Sequence, residues 1–233
     1  MRQWVTPDWP APDNIRAICT TVNYGNLATH AGESESVMAH RAKLRADCNL
    51  KYEPAWLNQT HSNCVKEVQE PIQEVGQVIE NCDASYTRLN EQPCVVLTAD
   101  CLPLLICDKA GEQIAAVHAG WRGLANGVIA QTLSHFAHPE DVLVWLGPAI
   151  SLNAFEVGQE VADIFLSLDP AYKQAIHSRS IDIYHIAKIQ LGKLGVEQYY
   201  GGEYCTYSQP HLFYSFRRDK LSGRMASMIW KKP

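Results

Sequence analysis

Apolar residues in this chain gather in short, dense blocks separated by polar or glycine-bearing stretches, and nowhere in one long run. The blocks IRAICTTV (15–22), PCVVLTAD (93–100), LPLLICD (102–108), EQIAAVHAG (112–120) and DVLVWLG (141–147) are rich in aliphatic and β-branched side chains, which predicts buried strands. Asp108-Lys109-Ala110-Gly111-Glu112 between the third and fourth is hairpin punctuation. EPAWLNQTHSNCVKEV (53–68) offers two shorter strand candidates flanking Thr60-His61-Ser62, and GRMASMIW (223–230) is strand-like.

Helical spacing shows elsewhere. Ser34 to Cys48 places Val37, Leu44 and Cys48 on one face, and GLANGVIAQTLSHFA (123–137) carries a stripe of Leu124, Val128, Ile129, Leu133 and Phe136. VGQEVADIFLSL (157–168) is stopped by Asp169-Pro170, and IYHIAKIQLGKLG (183–195) is a further helix. Strands and helices mix without strict alternation, so the pattern predicts a layered α/β or α+β fold rather than a doubly wound parallel sheet. No composition shift marks a seam, and one domain is expected over 1–233, with an irregular, Pro-rich lead at 1–14.

Composition narrows the partners. The chain of 233 residues is 46% hydrophobic and 19% charged, with a net charge of -5 and a pI near 6.0. With no basic excess to neutralise phosphates, neither nucleic acid nor an anionic membrane is the expected partner, and a small molecule is. No stretch of 18 apolar residues and no secretion-type start is present, so a soluble, unprocessed, cytoplasmic protein is expected. In that reducing compartment the eight scattered cysteines are expected to be buried hydrophobes, ligands or nucleophiles rather than a disulfide framework.

Three residues share one context: His61 follows AWLNQT, Cys101 follows CVVLTAD and His118 closes EQIAAV, each where an apolar strand meets a turn. Spacing leaves three readings open. They are packed core residues, a catalytic zinc site with three protein ligands and an open fourth position, or a Cys101–His118 nucleophilic dyad. Cysteine with two histidines is also the equatorial set of a blue-copper centre. No methionine follows Cys101 or His118 closely and no His-x-His pair exists, so Zn2+ is the better match, with Cu2+ able to load artificially. Gly120-Trp121-Arg122-Gly123 opens the predicted helix at 123–137 beside His118; Arg122 and the glycine backbone there form a candidate anion site, with ordinary capping the alternative. Arg217, Arg218 and Asp219 form a second charged cluster, read as a solvated turn, and His30 lies in a Gly/Asn loop from which it could reach the site. His135 and His138 are accounted for by the end of a helix.

The segments NQTHSNCV, LTADCLPLLICD, AAVHAGWRGLANGVI, LGPAISLNAFEVGQEV and FYSFRRDKLSGRMAS, taken together and in this order, resemble the signature blocks of the laccase-domain family, also called YfiH-like or polyphenol-oxidase-like. Its better-characterised members are purine nucleoside phosphorylases. The resemblance implies that His61, Cys101 and His118 are zinc ligands and active-site residues, and that the fold is a layered α-β-β-α sandwich with mixed sheets. It implies phosphorolysis of adenosine, inosine, guanosine and methylthioadenosine, with adenosine deamination beside it, by a monomer or homodimer whose partners are a nucleoside and phosphate. On that basis Asp100, next to Cys101, is the candidate acid/base, and Arg122 with Gly120, Gly123, His30 and Arg217 the candidate phosphate and substrate contacts. Some members instead edit peptidoglycan precursors, removing a wrongly attached amino acid, and the older label is copper polyphenol oxidase. Ser62 stands where the family has glycine, and Asn26-Leu27-Ala28 where it has Asn-Leu-Gly, which bears on the pocket wall rather than on the ligands.

Overall fold

A computed structural model describes residues 3–233. In chain order the strands and helices are β1 (Trp4–Val5), β2 (Ile15–Thr20), α1 (Ser34–Asp47), β3 (Val65–Glu67), β4 (Ala84–Thr87), β5 (Cys94–Thr98), β6 (Leu102–Asp108), β7 (Ile114–Ala119), α2 (Trp121–Ala125), α3 (Val128–Leu133), β8 (Val142–Leu146), α4 (Gln159–Leu168), β9 (Ile176–His177), β10 (Ser180–Ile181), α5 (Ile183–Lys193), β11 (Gln198–Gly201) and β12 (Met225–Lys231). A six-stranded sheet runs β11-β8-β6-β7-β4-β3 and a four-stranded sheet β1-β2-β12-β5. The larger sheet is mixed, with β11 parallel to β8 and β3 parallel to β4 among antiparallel neighbours.

Strand alternation builds the layers. On β6 and β7, Leu104, Ile106, Ala115 and Val117 face α3, α4 and α5, meeting Ile129, Leu133, Phe165 and Ile186. The intervening residues Leu105, Cys107, Ile114 and Ala116 face the small sheet and pack on Ala17, Cys19, Val96 and Ile229. The opposite face of the small sheet, through Ile18, Val95 and Met228, is covered by Leu44 of α1 together with Trp56. Both faces of both sheets are therefore buried, which explains why the central strands read as continuous apolar runs. The layers follow the order helix, sheet, sheet, helix, as the resemblance implied.

Four local expectations need correction. The lead is not wholly irregular, because Trp4–Val5 pairs with β2, while residues 1 and 2 lie outside the described part. In 53–68 the first strand candidate amounts to isolated bridges at Ala55 and Trp56. Strand β4, ASYT, was not foreseen; three of its four residues carry hydroxyls, yet all four are buried, and Thr87 satisfies its hydroxyl on the Val68 carbonyl. The stripe at 123–137 is two short helices broken at Asn126-Gly127, where Gly127 takes a left-handed φ of 79°. Among the described residues no helix is long and apolar enough to cross a membrane.

A Cβ at Gly127 would meet nothing within 4 Å, so the helix break rests on backbone conformation alone. Gly127→Ala is expected to lower stability by about 1 kcal/mol, the usual cost of a left-handed alanine, read as a shift in the urea midpoint at unchanged slope.

Candidate metal centre

The antiparallel pairing of β4 with β7 sets Ala84 opposite Val117, so the next pair outward is Asp83 and His118. The backbone confirms it, with the His118 N–H donating to the Asp83 carbonyl at 2.7 Å. His118 shares the strand parity of Ile114 and Ala116, the face turned toward the small sheet. Its Nδ1 lies 2.7 Å from Asp83 Oδ1. Because a carboxylate only accepts, Nδ1 carries a hydrogen, and Nε2 is the nitrogen that a metal would take in place of a proton.

The same carboxylate organises the turn that carries His61. Backbone N–H groups of Thr60, His61 and Ser62 donate to it at 3.1, 2.9 and 2.6 Å, and the Ser62 hydroxyl at 2.7 Å. His61 sits at a φ of 61°, a conformation unfavourable for a side-chain-bearing residue and held here by those hydrogen bonds. Burial of Asp83 raises its carboxyl affinity for protons, but donation from His118 and Ser62 outweighs this and holds it well below the carboxylate range. Asp83 was not among the residues read from sequence.

Cys101 follows Asp100, which adopts a φ of 90° at the entry to β6. One nitrogen from each histidine and the Cys101 sulfur lie within 4.8 Å of one another, the one such His/Cys/Asp/Glu group among the described residues. Burial pushes the Cys101 thiol up, yet the charge and hydrogen bond of His118, with the hydrogen bond of His61, bring it down to about 6. Conversely, His118 is held toward its protonated form by Cys101 and Asp83 against the opposing effect of burial. A preformed thiolate beside two imidazoles, one oriented by a carboxylate, is a donor set that fits a divalent transition metal. Gly120 permits the approach: a Cβ there would lie 3.0 Å from the Cys101 sulfur and 3.3 Å from His61 Cδ2.

All three residues line one cavity, and His61 and Cys101 also line a second. The first, of about 570 Å³, is also lined by His30, Arg41, Gln59, Phe216 and Arg224. The other, of about 230 Å³, touches Asp100, Trp121, Arg122, Phe216 and Arg217. His30 borders the larger of the two. Several sequence-predicted roles change on inspection of the contacts. Both carboxylate oxygens of Asp100 are engaged, Oδ1 by the Thr206 hydroxyl and Oδ2 by the Arg217 N–H, each at 2.6 Å. That ties the Cys101 loop to two distant segments instead of presenting a free acid/base. Arg217 commits its guanidinium to the carbonyls of Ala154 and Glu156, and Arg218 to those of Thr206, Tyr207 and Phe213, so the cluster is a set of backbone clamps rather than a solvated salt bridge. Helix α2 has only five residues, with Arg122 stacked over Trp121 at 4.3 Å. Gly123, buried, brings the helix to within 3.3 Å of the Ser62 carbonyl when a Cβ is built on it. Gly120 and Gly123 serve close packing here.

The cysteines also depart from the all-thiol expectation, because Cys64 and Cys82 are disulfide-bonded, with Cα atoms 4.6 Å apart. The bond links the residues following the His61 turn to the residue before Asp83. Burial pushes Cys19 and Cys94 up to about 12, and Cys107 likewise. At Cys205 burial acts the same way, but hydrogen bonds from Ser151 and Ser208 outweigh it and bring the thiol to about 7.

Three outcomes are expected. In metal-depleted protein at pH 7, iodoacetamide labels Cys101 and Cys205 well ahead of Cys19, Cys94 and Cys107, as peptide mass spectrometry will show. Asp83→Asn weakens Co(II) binding by about 10–100-fold, the usual cost of losing a carboxylate behind a histidine ligand, read from the thiolate–cobalt absorption. Gly120→Ala retains its circular dichroism and loses Co(II) affinity by at least about tenfold through crowding of two ligands, a change within the same range.

Comparison with known proteins places this geometry in a family. The family model described as multi-copper polyphenol oxidoreductase laccase matches residues 18–232. The Escherichia coli K12 protein named purine nucleoside phosphorylase YfiH is 42% identical, over 99% of each chain, and a Haemophilus influenzae purine nucleoside phosphorylase is 42% identical over 98% of this chain and 99% of its own. A Neisseria meningitidis protein of known crystal structure superposes with a TM-score of 0.92 at 40% identity, covering 100% of both chains. The chain belongs to this laccase-like, YfiH-type family.

Proposed function

We propose that this protein is a zinc-dependent purine nucleoside enzyme that cleaves adenosine, inosine, guanosine and methylthioadenosine with phosphate and also deaminates adenosine. The single observation that carries the reading is the His61–Cys101–His118 group, its thiolate preformed, at the wall of a cavity whose volume of about 570 Å³ lies in the range of small-molecule sites. Relatives named purine nucleoside phosphorylase over nearly the whole chain supply the substrate class.

Phosphorolysis replaces the bond between ribose C1′ and the purine nitrogen with one to a phosphate oxygen, and the departing purine takes up a proton. Deamination adds water at C6 and releases ammonia. Zinc, when held by His61, Cys101 and His118, supplies Lewis acidity and a more acidic water. The remaining work falls to the chain. Asp83 holds the Nδ1 hydrogen of His118 and so fixes which nitrogen faces the cavity. Gln59 is locked in the wall by a reciprocal pair of hydrogen bonds with the Leu97 backbone. Phe216, bordering both cavities, offers an aromatic face for a base.

The laccase description in the family's title is the weaker guide. Reducing oxygen to water at a multi-copper centre needs several coppers, and one three-ligand group is present among the described residues. One alternative does have an observation behind it: the Cys101–His118 pair, a thiolate beside an imidazole held protonated, is also the resting state of a cysteine nucleophile. That reading suits hydrolysis of an amino acid amide on a peptidoglycan precursor.

Chromatography of products from adenosine in phosphate buffer tests the proposal. Metal-retaining protein is expected to form adenine with ribose 1-phosphate, and inosine. Cys101→Ala is expected to lose at least about 100-fold in kcat/KM, the lower end of what a catalytic group contributes, and chelation is expected to abolish turnover that added zinc restores. Chelator-insensitive hydrolysis of an aminoacyl-linked sugar nucleotide, passing through an acyl-enzyme on Cys101 and accompanied by no turnover of adenosine, would establish the cysteine hydrolase instead.

A further inference from the structure

The larger cavity beside the metal ligands has an unbalanced charge. Among the described residues no Asp or Glu lines it, whereas Arg41, Arg224 and His30 do. Arg41, on α1, is only 4% exposed, and its guanidinium carbon lies 3.9 Å over the Trp56 ring. Its Nε donates to the Leu27 carbonyl at 3.0 Å, while Nη1 is buried without a hydrogen-bond partner. Among the described residues neither Arg41 nor Arg224 has a carboxylate within 4.0 Å. A buried guanidinium with an idle donor and no carboxylate in contact, Glu53 acting on Arg41 only from a distance, is costly unless something anionic completes it.

The three groups are built into one place. Asn26 Oδ1 accepts from the Arg224 N–H at 2.8 Å, and the Leu27 N–H donates to the Arg224 carbonyl at 3.2 Å. The other end of the Asn26 side chain holds the carbonyls of Ala28 and Ala31 at 3.1 Å each. The loop bearing His30 is thus stapled to Arg224 by Asn26 and to Arg41 through Leu27. The Arg224 guanidinium is anchored by Nη1 to the carbonyls of Ser222 and Gly223. His30 feels both arginines, which together with burial disfavour its protonated form. Arg224 in turn senses the Cys101 thiolate, so an anion seated here adjoins the metal ligands.

We propose that Arg41, Arg224 and His30 form the phosphate-binding subsite of this cavity, displacing the role that the chain's pattern suggested for Arg122. Two planar guanidinium groups and an imidazole match the several acceptor oxygens of a tetrahedral phosphate. The phosphate group could arrive as free inorganic phosphate, the co-substrate of phosphorolysis, or as the 5′-phosphate of a nucleotide. The assignment deepens the phosphorylase reading and rests on it for the first of these sources only.

The test is calorimetric titration of metal-retaining protein with inorganic phosphate, and separately with adenosine and adenosine 5′-monophosphate. Inorganic phosphate is expected to bind, with Arg224→Gln weakening it by at least about tenfold, as for loss of a charge-assisted hydrogen bond, and Arg224→Lys recovering part of the loss. His30→Ala, on an exposed loop, gives a second variant free of the folding risk of changing Arg41. Binding of the monophosphate that depends on Arg224, with none of inorganic phosphate and no such dependence for adenosine, supports the subsite and assigns it to a nucleotide. Equal phosphate binding by wild type, Arg224→Gln and His30→Ala overturns the proposal, as does a loss confined to Arg122→Ala. A protein that binds phosphate through Arg224 but turns over no nucleoside refutes the phosphorylase reading and leaves the subsite standing.

Discussion

One buried carboxylate decides the geometry of the site. Asp83 is wholly buried, and a bare charge in that position would be untenable. It survives because it receives three backbone N–H groups, two hydroxyls and an imidazole N–H. Those donors belong to the turn that carries one histidine and to the strand that carries the other. Satisfying Asp83 therefore places His61 and His118 together, with rings 4.9 Å apart, before any ion arrives. The left-handed backbone at His61 and the disulfide between Cys64 and Cys82 belong to the same knot.

His61, Cys101 and His118 stood out in the sequence because each borders a turn beside an apolar block, and the family resemblance, not spacing, singled them out as a ligand set. A layered fold of mixed strands and helices was readable from the runs at 93–120 and 141–147, since strands buried on both faces need no polar alternation, whereas the order helix, sheet, sheet, helix came from the family resemblance. Asp83 was not readable, for its place depends on β4 pairing with β7, and ASYT carries neither aliphatic density nor alternation. The helix stripe at 124–136 misled because side-chain periodicity persists across Gly127 while the backbone does not. Arg122 and Arg217 looked like ligand contacts on position along the chain. What separates them from Arg41 and Arg224 is the cavity each lines, the smaller for Arg122 and Arg217 and the larger for Arg41 and Arg224, which only the folded chain discloses.

Six cysteines remain free, and their surroundings sort them. Cys19, Cys94 and Cys107 act as small apolar side chains between the sheets, where burial keeps them protonated. Cys101 differs in having two imidazoles for neighbours, and that alone reverses the effect of burial. The same residue type thus serves packing, cross-linking and chemistry within one chain, according to what stands beside the sulfur.

The small sheet joins distant parts of the chain. Strand β12 lies between β2 and β5, and the Ala226 N–H bonds the Thr20 hydroxyl 206 residues earlier. On a growing polypeptide β2 must wait for residues beyond 224, so its apolar edge stays unpaired through most of synthesis, and contacts of such separation close slowly. Arg224 immediately precedes that late strand, which makes its wall of the larger cavity the last part of it to be assembled, long after His61, Cys101 and His118 have left the ribosome.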